Sequence, residues 1–228
     1  MLRDDLKLLK VFKIPLTYCE ITKELVKELN LKGKVEFISG INRVEFTKLS
    51  VFRENTNNLA IERGTGYTKI YTDKDLFRFP DDANEMFKEC QATSLDLSSF
   101  DTSNVTDMTS MFEGCEAISL DLSSFDTSKV INMAAMFGQC QAASLDLSSF
   151  DTSKVTNMEN MFFCFGTELL DLSNFNTKKV VYMNEMFLGC YATLINLSSF
   201  DISNVKEMRC IFDDCDATII GREKFRGK

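Results

Sequence analysis

The chain has 228 residues, of which 44% are hydrophobic and 26% charged, and its formal net charge is −8. This composition is typical of a folded protein and excludes wholesale disorder. No stretch approaches the roughly 18 consecutive apolar residues that a membrane-spanning helix needs, so membrane insertion is not expected.

Residues 1–79 do not repeat, and we predict that they form a small α+β N-terminal cap. Thr17-x-x-Glu20 fits a capping box at the start of a helix, because apolar residues follow at helical spacing. The alternating segments KVEFI, RVEFT and LSVFR and the tract around Tyr67–Tyr71 predict strands. The first 16 residues lack the uninterrupted apolar core of a signal peptide. A cytoplasmic location is therefore expected, unless an export signal has been removed.

From residue 80 the sequence repeats every 25 residues. LDLSSFDTS stands at residues 95–103 and returns at 120–128 and 145–153, followed by the variants LDLSNFNTK and INLSSFDIS at 170–178 and 195–203. We therefore divide the chain into the N-terminal cap, a repeat region of one partial and five full units over residues 80–218, and a C-terminal stub over residues 219–228. Val, Met and Phe recur in register, for example at Val105, Val130, Val155, Val180 and Val205.

Each unit combines two hydrophobic periods. In SLDLSSF, Leu95 and Leu97 share one face and Asp96 and Ser98 the other, which predicts a short strand. After a polar turn, apolar residues follow at steps of three and four over residues 105–115, which predicts a short helix. Neither element can bury its apolar side alone, so the fold class is predicted as an α/β solenoid, a leucine-rich-repeat-like stack of strand–turn–short helix units.

The repeat resembles that of BspA-like leucine-rich-repeat bacterial surface proteins. The resemblance rests on M-x-x-M-F-x-x-C at Met108–Cys115, on L-D-L-S-x-F-D-T-S-x-V at Leu120–Val130, and on the equivalent pairs. It covers residues from about 80 to 218 and does not extend to residues 1–79. It implies a leucine-rich-repeat-type solenoid, a non-enzymatic role in adhesion or protein binding, and a location at the cell surface.

Cysteine recurs at one repeat position. With no His and no C-x-x-C in the chain, a zinc site is not expected. Parallel side chains oppose disulfide geometry, so a column of buried reduced thiols is the favoured interpretation, and it suits a reducing compartment. The column is Cys90, Cys115, Cys140, Cys190 and Cys215, with Phe165 in the fourth of its six places.

Two polar columns are candidate sites. The outward strand positions, which we call the sheet-face row, predict an acidic surface for a basic partner, because stacked carboxylates repel one another unless something offsets their charge. Its residues are Asp96, Asp121, Asp146 and Asp171, ended by Asn196, with Ser98, Ser123, Ser148, Ser173 and Ser198 beside them. The turn row is expected to bond the nearby backbone instead. Its residues are Asp101, Asp126, Asp151, Asn176 and Asp201.

Charge is concentrated in the repeats, since residues 94–218 carry 18 acidic and 6 basic side chains. Phosphate is repelled by such a surface, so nucleic-acid binding is disfavoured. We predict a non-enzymatic protein-binding or adhesion module with a basic protein partner and no cofactor or metal. A solvated acidic surface without a partner is the simpler alternative. Calcium is a further alternative, although the glycine-rich calcium-roll nonapeptide is absent.

Two other functions stay open. An enzyme is not expected, because the chain has no His and no recognisable catalytic motif, and any activity would reside in residues 1–79. A structural self-assembling unit would use the C-terminal end, where Ile219 and Ile220 form a short apolar strand at an open edge. Pairing of two such edges predicts a two-fold homodimer, while Phe225 and the basic stub predict a minimal cap that keeps the chain monomeric.

Overall fold

The structure is a computed structural model, and it describes residues 17–41 and 59–226. These residues form short strands, one α-helix, α1 (Lys23–Leu29), and a 3₁₀ helix (Arg222–Phe225). The strands in chain order are β1 (Tyr18–Glu20), β2 (Gly33–Ile38), β3 (Leu59–Gly64), β4 (Tyr67–Thr72), β5 (Leu76–Arg78), β6 (Ala92–Asp96), β7 (Phe100–Asp101), β8 (Ser119–Asp121), β9 (Leu169–Asp171), β10 (Leu194–Asn196) and β11 (Thr218–Ile220).

The N-terminal segment and the first repeats share one sheet of order β3-β4-β2-β6-β8. β2 pairs in parallel with β6, which places Val35 beside Leu95, and β6 pairs in the same way with β8. β3 closes the outer side by antiparallel pairing with β4. The predicted strands at KVEFI and around Tyr67–Tyr71 are confirmed, whereas RVEFT and LSVFR lie outside the described residues.

Helix α1 begins later than the sequence predicted. Its N-cap is Thr22, whose hydroxyl oxygen accepts the Leu25 backbone N–H at 3.3 Å. Thr17 is part of a different contact, because its backbone N–H and hydroxyl both donate to Asp75 Oδ2. The capping-box assignment to Thr17 and Glu20 is therefore wrong. β1 occupies that position instead, and it pairs with β5.

In the repeat region, backbone hydrogen bonds join each unit to the next over 24 to 26 residues. The strands are short, and β8 and β9 span three residues each. Strand β9 pairs with β10, and β10 with β11, all in parallel. A further line of parallel bridges connects all six units through Asp82, Asp107, Asn132, Asn157, Tyr182 and Glu207. Residues 144–146, where the sequence predicts another strand, are not in a strand.

The short helix predicted in each unit is wrong. Residues 105–115 form consecutive turns, in which the N–H groups of Met111 and Cys115 donate to carbonyls three residues earlier. The Glu113 N–H also bonds three residues back, to the Ser110 carbonyl, whereas the N–H groups on either side of it point sideways to the next unit, as in Phe112 N–H to the Met136 carbonyl at 2.9 Å. We call such a set of sideways bonds a lateral row. The lateral row between the first and second full units has the donors Met108, Ser110, Phe112 and Gly114.

Left-handed residues are the physical reason that no helix forms. Two residues in each unit, four apart, have φ between 48° and 64°, and a left-handed residue cannot continue a right-handed helix. The pairs are Glu85 and Glu89, Ser110 and Gly114, Ala135 and Gln139, Asn160 and Cys164, Glu185 and Gly189, and Cys210 and Asp214.

The core consists of aligned copies of the same side chains. One stack of near-parallel rings has centroids 5.5–5.8 Å apart and comprises Phe87, Phe112, Phe137, Phe162, Phe187 and Phe212. Buried threonines form a second column, in which each hydroxyl bonds both backbone groups of a residue in the next unit. They are Thr102, Thr127, Thr152 and Thr177.

The C-terminal stub covers the last unit. Phe225 is buried, and its ring centroid lies 5.1 Å from that of Phe212 and 6.3 Å from that of Phe200. Lys224 Nζ donates to the carbonyls of Ser198 and Phe200. The predicted folding back of Phe225 over the final layer is confirmed.

Candidate functional site: the sheet face

The sheet-face row lies on the outward side of the parallel strands. Asp96 pairs in register with Asp121, and Asp171 pairs with Asn196. In β8 and β9 the residues on either side of the central leucine are exposed. Asp146 lies at the equivalent position and is also exposed. The structure therefore brings the predicted aspartates together on one face.

Each aspartate of this row also fixes its own turn. Asp96 Oδ1 accepts the Ser98 backbone N–H at 3.1 Å, and Ser123, Ser148, Ser173 and Ser198 make the same contact with their own partners at 3.0–3.1 Å. One carboxylate oxygen is thus used within the chain. The predicted serines act here through their backbone N–H groups, and the hydroxyls of Ser98 and Ser123 donate to the same carboxylate oxygens.

The turn row makes the same contact, as the sequence predicted. Its Oδ1 atoms accept the backbone N–H two residues later at 2.9–3.2 Å. A third row with this geometry was not predicted. It consists of Asp82, Asp107, Asn132 and Asn157. The recurrence of Asp or Asn at residues 82, 107, 132 and 157, at 25-residue spacing, is the signal that could have revealed it.

Basic side chains neutralise the acidic face at its N-terminal end, in β2, but not in the repeat units. Glu36 of β2 is the neighbour of Asp96 in register, and it forms ion pairs with Lys34 at 2.6 Å and Lys69 at 3.8 Å. Among the described residues, no basic side chain lies within ion-pair distance of Asp121 or Asp146. The open acidic surface therefore lies in the repeats.

Hydrogen bonds from the serines make two carboxylates more acidic. Ser148 lowers the pKa of Asp146, and Ser173 lowers the pKa of Asp171. A lowered folded-state pKa stabilises the fold above the unfolded value of about 3.9 and loses that effect as the pH falls through the folded value.

We predict that the double variant Asp146→Asn, Asp171→Asn unfolds at a slightly lower temperature than the wild type at pH 7, because it lacks the stabilisation from the ionised carboxylates, and that it loses less stability below pH ~4. Asparagine keeps the accepting oxygen, as Asn176 and Asn196 do in this chain, but does not titrate. Circular dichroism melts from pH 7 to pH 2 measure this. The control, Glu116→Gln with Asp216→Asn, removes two exposed charges without such contacts, and an identical pH profile for both variants would contradict the prediction.

The cysteines are free thiols, and the column members Cys115, Cys140, Cys190 and Cys215 are buried. Neighbouring thiols interact along the column. A hydrogen bond with Cys140 raises the pKa of Cys115 to about 12. A hydrogen bond from Cys190 lowers the pKa of Cys215 to about 6, and nearby Arg222 acts in the same direction. No group of three or more metal-ligating side chains occurs in residues 17–41 and 59–226.

The candidate self-association residues lie at the edge of the last sheet. Ile219 pairs with Ile195 and is partly buried, whereas Ile220 is 46% exposed. β11 is the outer strand of its sheet, of order β11-β10-β9.

A cavity of about 270 Å³ separates α1 from the first repeat unit. Val26, Leu31 and Met86 line it together with Glu85 and Glu89. Both acids belong to the repeat region. Among the described residues, no carboxylate from residues 1–79 lines this cavity, although any enzyme activity is expected in residues 1–79.

No helix in the described part of the chain is both long and apolar enough to cross a membrane. No curated protein and no solved structure matches the chain. One family model matches residues 81–167 and again residues 165–220, which together make up more than half of the sequence. This match is compatible with the resemblance to BspA-like surface proteins. The chain belongs to the family described as Mycoplasma protein of unknown function, DUF285.

Proposed function

We propose that the chain is a non-enzymatic protein-binding or adhesion module built as a solenoid, whose sheet face takes a basic segment of a protein partner. The observation that carries this proposal is the set of exposed carboxylates at equivalent positions of successive units, Asp121, Asp146 and Asp171, none with a basic partner among the described residues. The lateral rows and parallel bridges support the solenoid, since each unit bonds the next in the same way.

Physical chemistry favours a basic ligand at this face. Neighbouring parallel strands lie about 4.8 Å apart, so the carboxylates repel one another across the row. Their serine contacts hold them in place and leave the second carboxylate oxygen for a ligand. A basic segment that follows the row relieves this repulsion and gains an ion pair in each unit.

The test uses a fluorescent decalysine peptide as probe. The variant Asp121→Asn, Asp146→Asn keeps both turn contacts and removes two charges, so we expect binding about two- to thirtyfold weaker, from two exposed ion pairs of about 0.2–1 kcal/mol each. Fluorescence anisotropy at low and high salt measures this, and binding should weaken as salt rises.

The matched control is Asp126→Asn, Asp151→Asn, which removes the same charge from the turn row. Its affinity should stay close to that of the wild type. Equal losses in both variants would show that net charge, not the sheet face, binds the peptide.

A structural, self-assembling role is the second candidate, and the exposure of Ile220 at the open edge of β11 favours it. In this alternative, two chains pair through their β11 edges in a closed two-fold dimer. Sedimentation should then give a dimer that Ile220→Lys and the double variant Ile219→Lys, Ile220→Lys convert to monomer. A monomeric wild-type chain at high micromolar concentration contradicts this candidate.

A further inference from the structure

The last two repeat units depart from the others on the sheet face. One position lies two residues before the Asp or Asn of the sheet-face row. The first three full units carry serine there, at Ser94, Ser119 and Ser144, whereas the last two carry Leu169 and Leu194. Leu169 and Leu194 are neighbours in register, and Leu169 is 48% exposed. Because serine occupies this position elsewhere, stacking of the units does not require leucine here.

A tyrosine three residues before Leu194 packs on the preceding unit, three residues before Leu169. Tyr191 stands where the earlier units have Gln91, Glu116 and Gln141, and its side chain is 63% exposed. The ring packs on Gly166, where a Cβ would approach ring carbon Cε2 to 1.7 Å. The chain thus combines an aromatic residue with the one residue type that allows the ring to lie against the backbone.

Acidic side chains border this apolar group. Glu168 and Asp171 are exposed within five residues of Gly166, and the Leu194 backbone N–H donates to the Glu168 carbonyl. In the described chain, neither carboxylate lies within ion-pair distance of a basic side chain. The surface offers an aromatic ring, two leucines and two carboxylates on adjacent units.

We propose that Tyr191, Leu169 and Leu194 form the anchor of the sheet face and that they take an arginine side chain from the basic segment of the partner. This inference rests on the proposed function and deepens it. A guanidinium group stacks on an aromatic ring and donates to carboxylates in the same plane, which the ammonium group of lysine does less well. The flanking basic residues of the segment lie along Asp146 and Asp121.

The absence of tryptophan from the chain allows a site-specific reporter. We design Tyr191→Trp, and Tyr182→Trp as its matched control, because Tyr182 is also exposed but lies in the row of Asn157 and Glu207. Titration with decaarginine should change the fluorescence of Tyr191→Trp alone. Decaarginine should bind about two- to fivefold tighter than decalysine, the ratio that an exposed cation–π contact gives. Equal signals from both reporters, or equal affinities of the two peptides, overturn the inference.

Truncation separates the anchor from the acidic row. Tyr191→Ala should weaken decaarginine binding and abolish the preference over decalysine, while Tyr191→Phe and Tyr182→Ala leave both unchanged. Melting curves for each variant establish that it is folded. If Asp121→Asn, Asp146→Asn weakens binding but Tyr191→Ala does not, the anchor is wrong and the proposed function stands. If only Tyr191→Ala has an effect, the acidic row is wrong and the anchor stands.

Discussion

A Phe137→Ala variant is expected to lose about 3–5 kcal/mol of unfolding free energy, the usual cost of truncating a buried phenylalanine. Its ring is fully buried between Phe112 and Phe162, with centroids 5.6 and 5.8 Å away. The backbone on both sides is fixed by lateral rows, through the Phe112 and Phe137 N–H groups. The cavity left behind therefore cannot collapse easily. Urea unfolding followed by circular dichroism measures the loss.

The end of the same stack provides the control. Phe212 is only partly buried, and within the stack it has a neighbour on one side, Phe187. Phe212→Ala should cost about 1–3 kcal/mol, because Phe212 buries less apolar surface than Phe137 and its site is partly open to solvent. Equal losses at both positions would contradict the view that packing between two rings sets the cost.

A Thr127→Val variant is expected to lose about 1–3 kcal/mol, because the substitution keeps the shape and removes two hydrogen bonds. The Thr127 hydroxyl is 1% exposed, accepts the Asp151 backbone N–H at 2.8 Å and donates to the Asp151 carbonyl at 3.0 Å. Valine leaves both backbone groups of Asp151 without a partner. Thermal and urea unfolding measure the loss.

The control for this variant is Thr193→Val, the same substitution at an exposed side chain. It should change stability by less than about 0.5 kcal/mol. The chain supplies a natural parallel, since the fifth unit carries Ile202 at the threonine position. A Thr127→Val variant as stable as Thr193→Val would show that water replaces the missing hydroxyl.

The buried positions of the repeats could be predicted because the same apolar residues recur five times in the sequence at a fixed spacing. Val105, Met108 and Phe112 are fully buried, as their spacing indicated. The same spacing suggested a helix, because steps of three and four also fit consecutive tight turns. Glycine would have marked the left-handed residues, but it occupies only Gly114 and Gly189 among them.

Contacts without a repeated sequence could not be predicted. The pairing of β2 with β6 depends on backbone groups, and Val35 lies beside Leu95 without any shared motif around it. At the site, the positions of the aspartates followed from the strand period. The backbone contacts could be predicted for the turn row, whereas for the sheet-face aspartates the sequence left water, backbone donors and cations open as partners. The sequence shows that Tyr191 differs from the residues at the equivalent position of the earlier units, but only the structure shows that its ring packs on Gly166.

The lateral rows bear on how such a chain changes its size. Within every lateral row the donors face the C-terminal end and the acceptors face the N-terminal end, as in Phe137 N–H to the Met161 carbonyl. Removing or inserting one 25-residue unit therefore rejoins a junction of the same kind. The phrase LDLSSFDTS, identical at residues 95–103, 120–128 and 145–153, repeats the same sequence in three successive units. The number of units, and with it the length of the acidic face, is thus the property that can change at the least structural cost.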